Sequence, residues 1–460
     1  MTDPTSPTTE PVCRIGDNTL DTATIPIVFV PGVMGSRLEF TDIGQAWDPD
    51  SNWAMVHWVR ISAERCRREF ALDNPAEVMN TNSSLTPAQR DRGWAGVAWD
   101  FYGQFVRDLA AQRFGRYRTP VYVIGYDWRQ NNRDSGMAVA RRIRGILASE
   151  GAERFILISH SMGGLVTRAC LKNPNNSDIS DKLLGVVHIA QPVDGGLVLV
   201  RRMFTGAVSS VDGGRGLSMI LGNTRQKFQT IMSAVPGPMQ LLVTANYRDT
   251  DRSWWYDYET FEEPGVTRRW EGNPWDLYLQ PQSPPGLLAP TTERYAVEAH
   301  VRREFVRRIN EARSYHEWVR RWKHERTWAI YSTGLTVDMR VHFQLPPVQV
   351  QTEVYPGGFG AATVVHYGTR ADGSTAVVRD PNPADRGNVM RRRAQSDGTV
   401  PDSSAEGLFP GQRHGVDTTG DYNTLRQFRI RGAAHDAICH HANCERRLFD
   451  IMRHLLGIRI

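Results

Sequence analysis

The sequence predicts an α/β fold, with a mainly parallel sheet that carries helices on both faces and an inserted cap or lid. Short apolar segments typical of buried strands alternate with segments of helical periodicity, which favours a parallel sheet. The strands of the sheet are predicted at residues 27–30, 121–125, 156–158, 184–190, 328–334 and 427–430. This alternation lapses between residues 197 and 325, where glycine-rich turns and a stretch rich in tryptophan and tyrosine replace it. That interval is therefore predicted to be the cap.

The predicted domain layout follows from the same pattern. Residues 1–24 are expected to form a flexible lead-in, because their first part is rich in threonine and proline. The core is expected at 25–196, with a lid-like insertion at about 41–93, and again at 326–460 after the cap at 197–325. A chain of 460 residues, of which 40% are hydrophobic, is long enough to bury a core of this size.

The composition excludes some classes of partner and cofactor. The net charge is +5, and most of the basic residues are arginine. No dense basic cluster with interleaved aromatic residues is present, so no nucleic-acid partner is predicted. No phosphate-binding glycine loop occurs either, so no cofactor is predicted.

The sequence also bears on location. The N-terminus has neither a basic n-region nor an apolar h-region, and no stretch is long and apolar enough to span a bilayer. A cytoplasmic location is expected, with export by a signal-independent route as the alternative. The five cysteines are too few and too scattered to predict a disulfide framework.

The strongest functional signal is a serine on a predicted turn between a strand and a helix. Residues 156–158 predict the strand and the apolar pattern after residue 164 predicts the helix, so Ser161 lies between them. A nucleophile elbow occupies this position and requires small neighbours: Gly163 fits, and Ser159 stands where the motif usually has its first glycine. The N–H of Met162 is expected to serve as one oxyanion donor. A turn without chemistry is the alternative.

A glycine-containing loop follows the first predicted strand. Residues 31–36, PGVMGS, contain two glycines that let the backbone approach a ligand closely. In a hydrolase with this architecture, the loop after an early strand supplies the second oxyanion N–H. Val33 is the first candidate for this donor and Met34 the second, and a plain turn is the alternative.

Two later residues complete a candidate triad. Asp397 lies on a tight glycine-containing turn that can hold its carboxylate towards a histidine, and His435 follows the last predicted strand. The order Ser161, Asp397, His435 is the order of nucleophile, acid and base in α/β-hydrolases. Because each residue follows a predicted strand, all three are expected at one edge of the sheet. Asp194, after the strand at 184–190, is the second candidate for the acid.

Six motifs occur in order along nearly the whole chain. They are residues 31–36 (PGVMGS), 126–129 (YDWR), 159–164 (SHSMGG), 331–334 (YSTG) and 397–401 (DGTVP), and His435. Together they resemble the landmarks of the lecithin:cholesterol acyltransferase-like family, which includes lysosomal-type phospholipases and phospholipid:diacylglycerol acyltransferases. The resemblance implies an α/β-hydrolase fold with a cap and lid, and a serine enzyme that acts on lipid esters through an acyl-enzyme. Carried over residue by residue, it gives Ser161, Asp397 and His435 the catalytic roles and Val33 and Met162 the oxyanion roles.

The sequence therefore predicts a serine acyl-ester hydrolase, of lipase or phospholipase type, that acts on lipid-like esters. Two alternatives stay open. One is an acyltransferase that passes the acyl group to an alcohol, and the other is a catalytically idle homologue that binds a lipid or a protein partner. Water and an alcohol compete for the same acyl-enzyme, and no residue in the sequence decides between them.

Aromatic and basic segments have two interpretations each. The tryptophans either line a site for an apolar substrate or pack irregular parts of the structure. They are Trp47, Trp53 and Trp58 in the predicted insertion and Trp254, Trp255, Trp270 and Trp275 in the predicted cap. In a predicted helix at 297–313, four of the arginines lie away from the buried apolar face, and they either form a solvated face or make transient contact with an anionic membrane surface. These are Arg302, Arg303, Arg307 and Arg308.

Three further features are predicted to be structural. The Asp127 and Arg129 pair is expected to lock loops around the site, and His188 is expected in the core or just behind the site. The last is a cluster of zinc-type side chains without the spacing of a standard zinc site, so no metal is predicted. Its members are Cys439, His440, His441 and Cys444.

Overall fold

The computed structural model describes most of the chain. The described residues are 23–207, 220–247, 255–258, 266–280, 287, 299–338, 341–343, 365–369, 375–379, 393–412, 415–416 and 420–458. The predicted lead-in lies outside them except for its last two residues, and Thr24 forms an isolated bridge with Arg118.

Six parallel strands form the central sheet. They are β1 (Ile27–Val30), β2 (Val121–Val123), β3 (Phe155–His160), β4 (Leu183–Ile189), β5 (Thr327–Thr333) and β6 (Gln427–Arg431). Their order across the sheet is β6-β5-β4-β3-β1-β2, and every neighbouring pair is parallel. Nearly continuous apolar sequence suits strands that are covered on both faces. The predicted parallel sheet is confirmed.

Among the described residues, five longer helices contribute buried side chains to the two cores that flank the sheet. They are α1 (Trp99–Ala111), α2 (Asn132–Glu150), α3 (Gly163–Lys172), α4 (Ala299–Val319) and α5 (Ala442–Leu455). Successive side chains of a strand point to opposite faces. Accordingly Val28 and Val30 pack in the core that contains residues of α2 and α3, whereas Ile27 and Phe29 pack in the core that contains residues of α1 and α5.

The predicted lid-like insertion forms small elements of its own. They are the strands Leu38–Phe40, Gln45–Trp47 and Ala76–Val78, which form one antiparallel sheet, and the helices Asn52–Arg60, Ala63–Phe70 and Pro87–Asp91. Trp47 and Trp58 are buried among other aromatic rings, whereas Trp53 is 86% exposed. Two of these three tryptophans therefore serve packing.

Arg129 connects this insertion to the core through hydrogen bonds. It is fully buried, pairs with Asp127 and donates hydrogen bonds to the carbonyl oxygens of Phe70, Ala71 and Asn74. The pair formed by Asp127 and Arg129 thus has the supporting role expected from the sequence, because a buried guanidinium satisfies several backbone acceptors at once.

The interval predicted as the cap contains short elements in addition to α4. They are the helices Leu197–Thr205, Arg225–Met232, Pro236–Met239 and Pro274–Leu279 and the strands Tyr256–Tyr258 and Arg268–Arg269, which share a small sheet with Val341–Phe343. Trp255 and Trp275 are buried and Trp270 is partly buried, which favours the packing interpretation for these three residues. Trp254 lies outside the described residues.

The arginines of α4 do not share one solvated face, which corrects the sequence interpretation. Arg308 is buried, and its Nε donates to the Ser233 carbonyl oxygen at 3.1 Å while its Nη1 contacts Glu311. The helical pattern did not reveal this, because the partners of Arg308 include a residue 75 positions earlier in the chain.

The remaining elements are short. They are the antiparallel pairs Leu335–Asp338 with Arg393–Ser396 and Val365–Thr369 with Thr375–Arg379, the helices Ser177–Ser180 and Asp402–Ala405, and the 3₁₀ turns Trp94–Gly96, Pro174–Asn176, Glu406–Leu408 and Ile438–His440. Among the helices of the described residues, none is both long and apolar enough to cross a membrane.

Candidate active site

Ser161 lies on the sharp turn between β3 and α3. Its φ of 52° is in the left-handed region, which costs energy for a residue with a Cβ and is common at functional sites. A Cβ added to Gly163 would lie 2.4 Å from the carbonyl oxygen of Pro31, so a larger residue cannot fit against the loop that follows β1. The small neighbour predicted at position 163 therefore has a steric cause.

Ser159 replaces the first glycine of the usual motif without strain on the strand. It is fully buried in β3, and its Oγ lies 2.7 Å from Nδ1 of His188 on the neighbouring strand β4. Burial, with a smaller effect from Arg168, lowers the pKa of His188 to about 3. His188 is therefore a neutral core histidine, which is one of the two roles predicted for it.

The structure brings the three predicted triad residues together. His435 Nε2 lies 2.9 Å from Ser161 Oγ, and His435 Nδ1 lies 2.7 Å from Asp397 Oδ2. With its Nδ1–H directed to the carboxylate, the imidazole presents the Nε2 lone pair to the serine hydroxyl, as a general base requires.

The turn after Ser396 fixes the Asp397 carboxylate. Its Oδ1 accepts the backbone N–H groups of Thr399 at 2.9 Å and Val400 at 2.7 Å, and Gly398, which follows Asp397 directly, adopts a φ of 89°. Because Oδ1 is held in this way, Oδ2 remains directed at the imidazole. Asp397 is 2% exposed, so little solvent competes for this contact.

The environment of His435 favours its charged form. Burial alone would lower its pKa, but the charge of Asp397 and the hydrogen bond to that carboxylate outweigh burial, and the pKa is raised above the ordinary 6.5. An imidazole that gains basicity in this way is well suited to take a proton from a serine.

The loop after β1 lies beside the nucleophile and is held by hydrogen bonds along its length. Tyr126 Oη donates to the Pro31 carbonyl, the Gly32 N–H donates to Tyr102 Oη, the Gly35 N–H donates to the Gly32 carbonyl, and Trp47 Nε1 donates to the Met34 carbonyl. Within the described residues, the N–H groups of Val33 and Met162 have no hydrogen-bond acceptor. Their assignment as oxyanion donors stays a prediction.

Asp194, the second candidate for the acid, has a different partner. Its Oδ2 lies 2.5 Å from Arg321 Nη2, and its backbone N–H donates to Ser404 Oγ. Burial raises the pKa of Asp194, an effect that the charges of Arg321 and Arg168 partly offset. The carboxylate that contacts His435 is that of Asp397.

Two residues that border the triad were not predicted from the sequence. His160 appeared only as part of the SHSMGG motif, and Tyr102 not at all. Both are 2% exposed, and they hydrogen-bond to each other across 58 positions of the chain. For His160, the only signal in the sequence was its place next to the predicted nucleophile. Tyr102 had no signal, because a contact between residues 58 positions apart leaves no local sequence pattern.

The cluster of zinc-type side chains is buried in part. Burial raises the pKa of Cys439 and of Cys444 above the ordinary thiol value. Within the part of the chain that the structure describes, no three histidine, cysteine, aspartate or glutamate residues are grouped as metal ligands would be. Because burial raises their pKa, the thiols of Cys439 and Cys444 stay protonated.

Comparison with known proteins supports the interpretation of the motifs. Residues 95–263 match the model of the lecithin:cholesterol acyltransferase family. The family resemblance is confirmed over these residues. At a general level, this match to the lecithin:cholesterol acyltransferase family supports an enzyme that acts on lipid esters as a hydrolase or an acyltransferase. A comparison with curated proteins gives no significant match.

Solved structures are similar in fold. The chain resembles a chain of the Tle4-Tli4 complex with a TM-score of 0.65 and 20% identity, and the likeness covers 95% of this chain and 99% of that one. It also matches the lipase BlEst2 of Bacillus licheniformis in mature form with 12% identity over 97% and 99% of the two chains, at a TM-score of 0.31. The parallel sheet, the turn at Ser161, the family match and the likeness to the chain of the Tle4-Tli4 complex confirm the α/β-hydrolase fold.

Proposed function

We propose that the protein is a serine acyl-ester hydrolase that acts on lipid-like esters through an acyl-enzyme. The observation that carries this proposal is the position of the His435 imidazole, which lies 2.9 Å from Ser161 Oγ and 2.7 Å from Asp397 Oδ2. The family match over residues 95–263 supports a lipid ester as the substrate class.

The proposed reaction has two halves. Ser161 Oγ attacks the ester carbonyl carbon as its proton moves to His435 Nε2, and the Met162 and Val33 N–H groups stabilise the oxyanion. Collapse of the tetrahedral intermediate breaks the ester C–O bond, and the proton on Nε2 passes to the leaving alkoxide. Water then loses a proton to Nε2 and attacks the acyl carbon. Collapse of this second intermediate breaks the bond to Ser161 Oγ, which takes the proton from Nε2 as the acid leaves. Throughout, Asp397 holds the imidazole tautomer and stabilises the imidazolium.

Two alternatives differ from this proposal in their outcome. In an acyltransferase, an alcohol replaces water in the second half, so the triad would be the same and the product an ester. In a catalytically idle homologue, the triad atoms need not be within hydrogen-bond reach. The short distances at His435 therefore favour an active enzyme.

The proposal is tested with a series of p-nitrophenyl esters of increasing acyl length. Wild type is expected to hydrolyse them with activity that rises with chain length, and Ser161→Ala is expected to be inactive. Ser180→Ala is the matched control, because the Ser180 hydroxyl bonds the Leu171 carbonyl at the far end of α3. Mass spectrometry is expected to detect an acyl adduct on Ser161.

Two further results decide between the alternatives. If an added alcohol diverts the acyl group into a new ester at the expense of the free acid, the protein is an acyltransferase. If neither turnover nor adduct appears, even with detergent, the proposal is wrong and a binding role replaces it.

A further inference from the structure

A buried pair, Tyr102 and His160, lies directly behind the candidate triad. Tyr102 is on α1, His160 is the last residue of β3, and both are 2% exposed. Tyr102 Oη lies 2.8 Å from His160 Nδ1. On the other side of the histidine, Nε2 lies 2.9 Å from the backbone carbonyl oxygen of His435.

The direction of each hydrogen bond in this group is determined by its chemistry. The His435 carbonyl can only accept, so His160 Nε2 carries a proton and donates it. A neutral His160 then has its lone pair on Nδ1 and accepts the Tyr102 hydroxyl proton. The Tyr102 oxygen in turn accepts the Gly32 N–H at 3.0 Å. The bonds thus form one directed chain from the backbone of Gly32 to the backbone of His435.

His160 stays neutral in this chain. Burial, together with a smaller effect from the nearby His435, lowers its pKa to about 3, although the hydrogen bond to the His435 carbonyl acts in the opposite direction. The two rings are 5.0 Å apart between centroids, so a charge on His435 during turnover disfavours a second charge on His160. The pattern of donors therefore persists when the catalytic base is protonated.

This chain of hydrogen bonds connects parts of the site that must be aligned with one another. Gly32 precedes Val33, the proposed oxyanion donor, and His435 is the proposed base. The nucleophile is close to both, because Ser161 Oγ lies 2.9 Å from His435 Nε2 and a Cβ added to Gly32 would lie 2.9 Å from Ser161 Cβ. Three loops that are distant in sequence thus meet around one buried tyrosine and one buried histidine.

We propose that Tyr102 and His160 are positioning residues that fix the oxyanion loop and the His435 backbone relative to Ser161. This inference rests on the proposed function. Neither side chain contacts the reacting atoms. Their effect is geometric, because a base and an oxyanion donor accelerate the reaction only when both are aligned with the nucleophile, and a shift of about 1 Å costs about 100-fold in rate.

The test uses three variants of the full chain and one control. Tyr102→Phe removes the hydroxyl, His160→Phe removes both ring nitrogens, and His160→Gln keeps an N–H donor near the place of Nε2. Tyr315→Phe is the control, because Tyr315 is equally buried and its hydroxyl bonds the Leu165 carbonyl at 2.8 Å, away from this chain of bonds.

Kinetics and NMR separate a positioning role from a structural one. We expect kcat to fall by about 10- to 100-fold in Tyr102→Phe and His160→Phe, with KM within about twofold. His160→Gln is expected to recover part of the loss, and Tyr315→Phe to resemble wild type. The downfield signal of the His435 Nδ1 proton is expected to broaden in His160→Phe and to persist in Tyr315→Phe.

Defined results would overturn the inference. It fails if kcat is unchanged in Tyr102→Phe and His160→Phe, if only KM rises, or if Tyr315→Phe loses as much activity as they do. If wild type hydrolyses no ester and an organophosphonate does not modify Ser161, the proposed function is wrong. The proton signal of His435 still tests the positioning pair in that case, and an unchanged signal in His160→Phe rejects it.

Discussion

Two buried aspartates, Asp397 and Asp194, show how the same side chain acquires different roles. Both lie on loops after strands, and each is 2% exposed. Asp397 contacts the imidazole of His435, whereas Asp194 contacts the guanidinium of Arg321, two residues beyond the end of α4. Burial makes both carboxylates depend on a partner. The partner decides whether the carboxylate orients a base or joins two segments of the chain.

The surroundings of Asp194 support the structural role. Its carbonyl oxygen accepts the Thr244 N–H at 3.0 Å, and its N–H donates to Ser404 Oγ, which also bonds the Gly195 carbonyl. A segment from the interval predicted as the cap and the helix Asp402–Ala405 thus both contact Asp194. Its loss is expected to affect stability first.

The largest expected difference is in activity. Asp397→Asn is expected to lower kcat on a p-nitrophenyl ester by roughly 10⁴-fold, because the amide favours the wrong imidazole tautomer. Asp194→Asn, assayed on protein that circular dichroism shows to be folded, is expected to keep kcat within about threefold of wild type. An equal loss in both variants would give Asp194 a part in the chemistry and remove the contrast.

A smaller effect is expected in stability. Arg321→Met leaves Asp194 buried without its ion-pair partner and is expected to lower the free energy of unfolding by about 2–3 kcal/mol. This is below the cost for a fully buried pair, since the Arg321 side chain is 35% exposed. Arg144→Met, which breaks the exposed pair with Asp178, is the matched control, with an expected change under about 1 kcal/mol. Urea unfolding measures both, and equal values would contradict the role of burial.

The smallest effect concerns pH. His435 must be unprotonated to act as a base, so kcat/KM is expected to fall as the pH drops through its raised pKa, above the ordinary 6.5. In Asp397→Asn, burial still lowers the pKa of His435, but the carboxylate charge that raised it is gone. The acid limb of the pH profile, where the residual activity falls, is therefore expected to move to lower pH. Asp194→Asn is expected to leave the limb in place. A shift in Asp194→Asn, or none in Asp397→Asn, would show that another group sets the limb.

Much of the site could be predicted because its signals are local. The turn at Ser161 needs a small residue at Gly163, and the turn at Asp397 needs a glycine with positive φ, so both leave a mark in a few consecutive residues. His435 was predicted from its place after the last strand, since the carboxyl ends of parallel strands meet at one edge. Contacts between distant residues left no such mark, and Tyr102 and the buried Arg308 were missed for that reason.

The sequence by itself determined the parallel sheet, the order of the motifs and the three triad candidates, because strand periodicity and turn chemistry are properties of short segments. Only the tertiary structure decided that Asp397 contacts His435, that Asp194 contacts Arg321, and that the SHSMGG histidine is neutral. Those outcomes depend on burial and on partners separated by up to 275 residues, as in the bond between His160 and His435. Hydrogen bonds and charges act over a few ångströms in space, and the fold sets those distances.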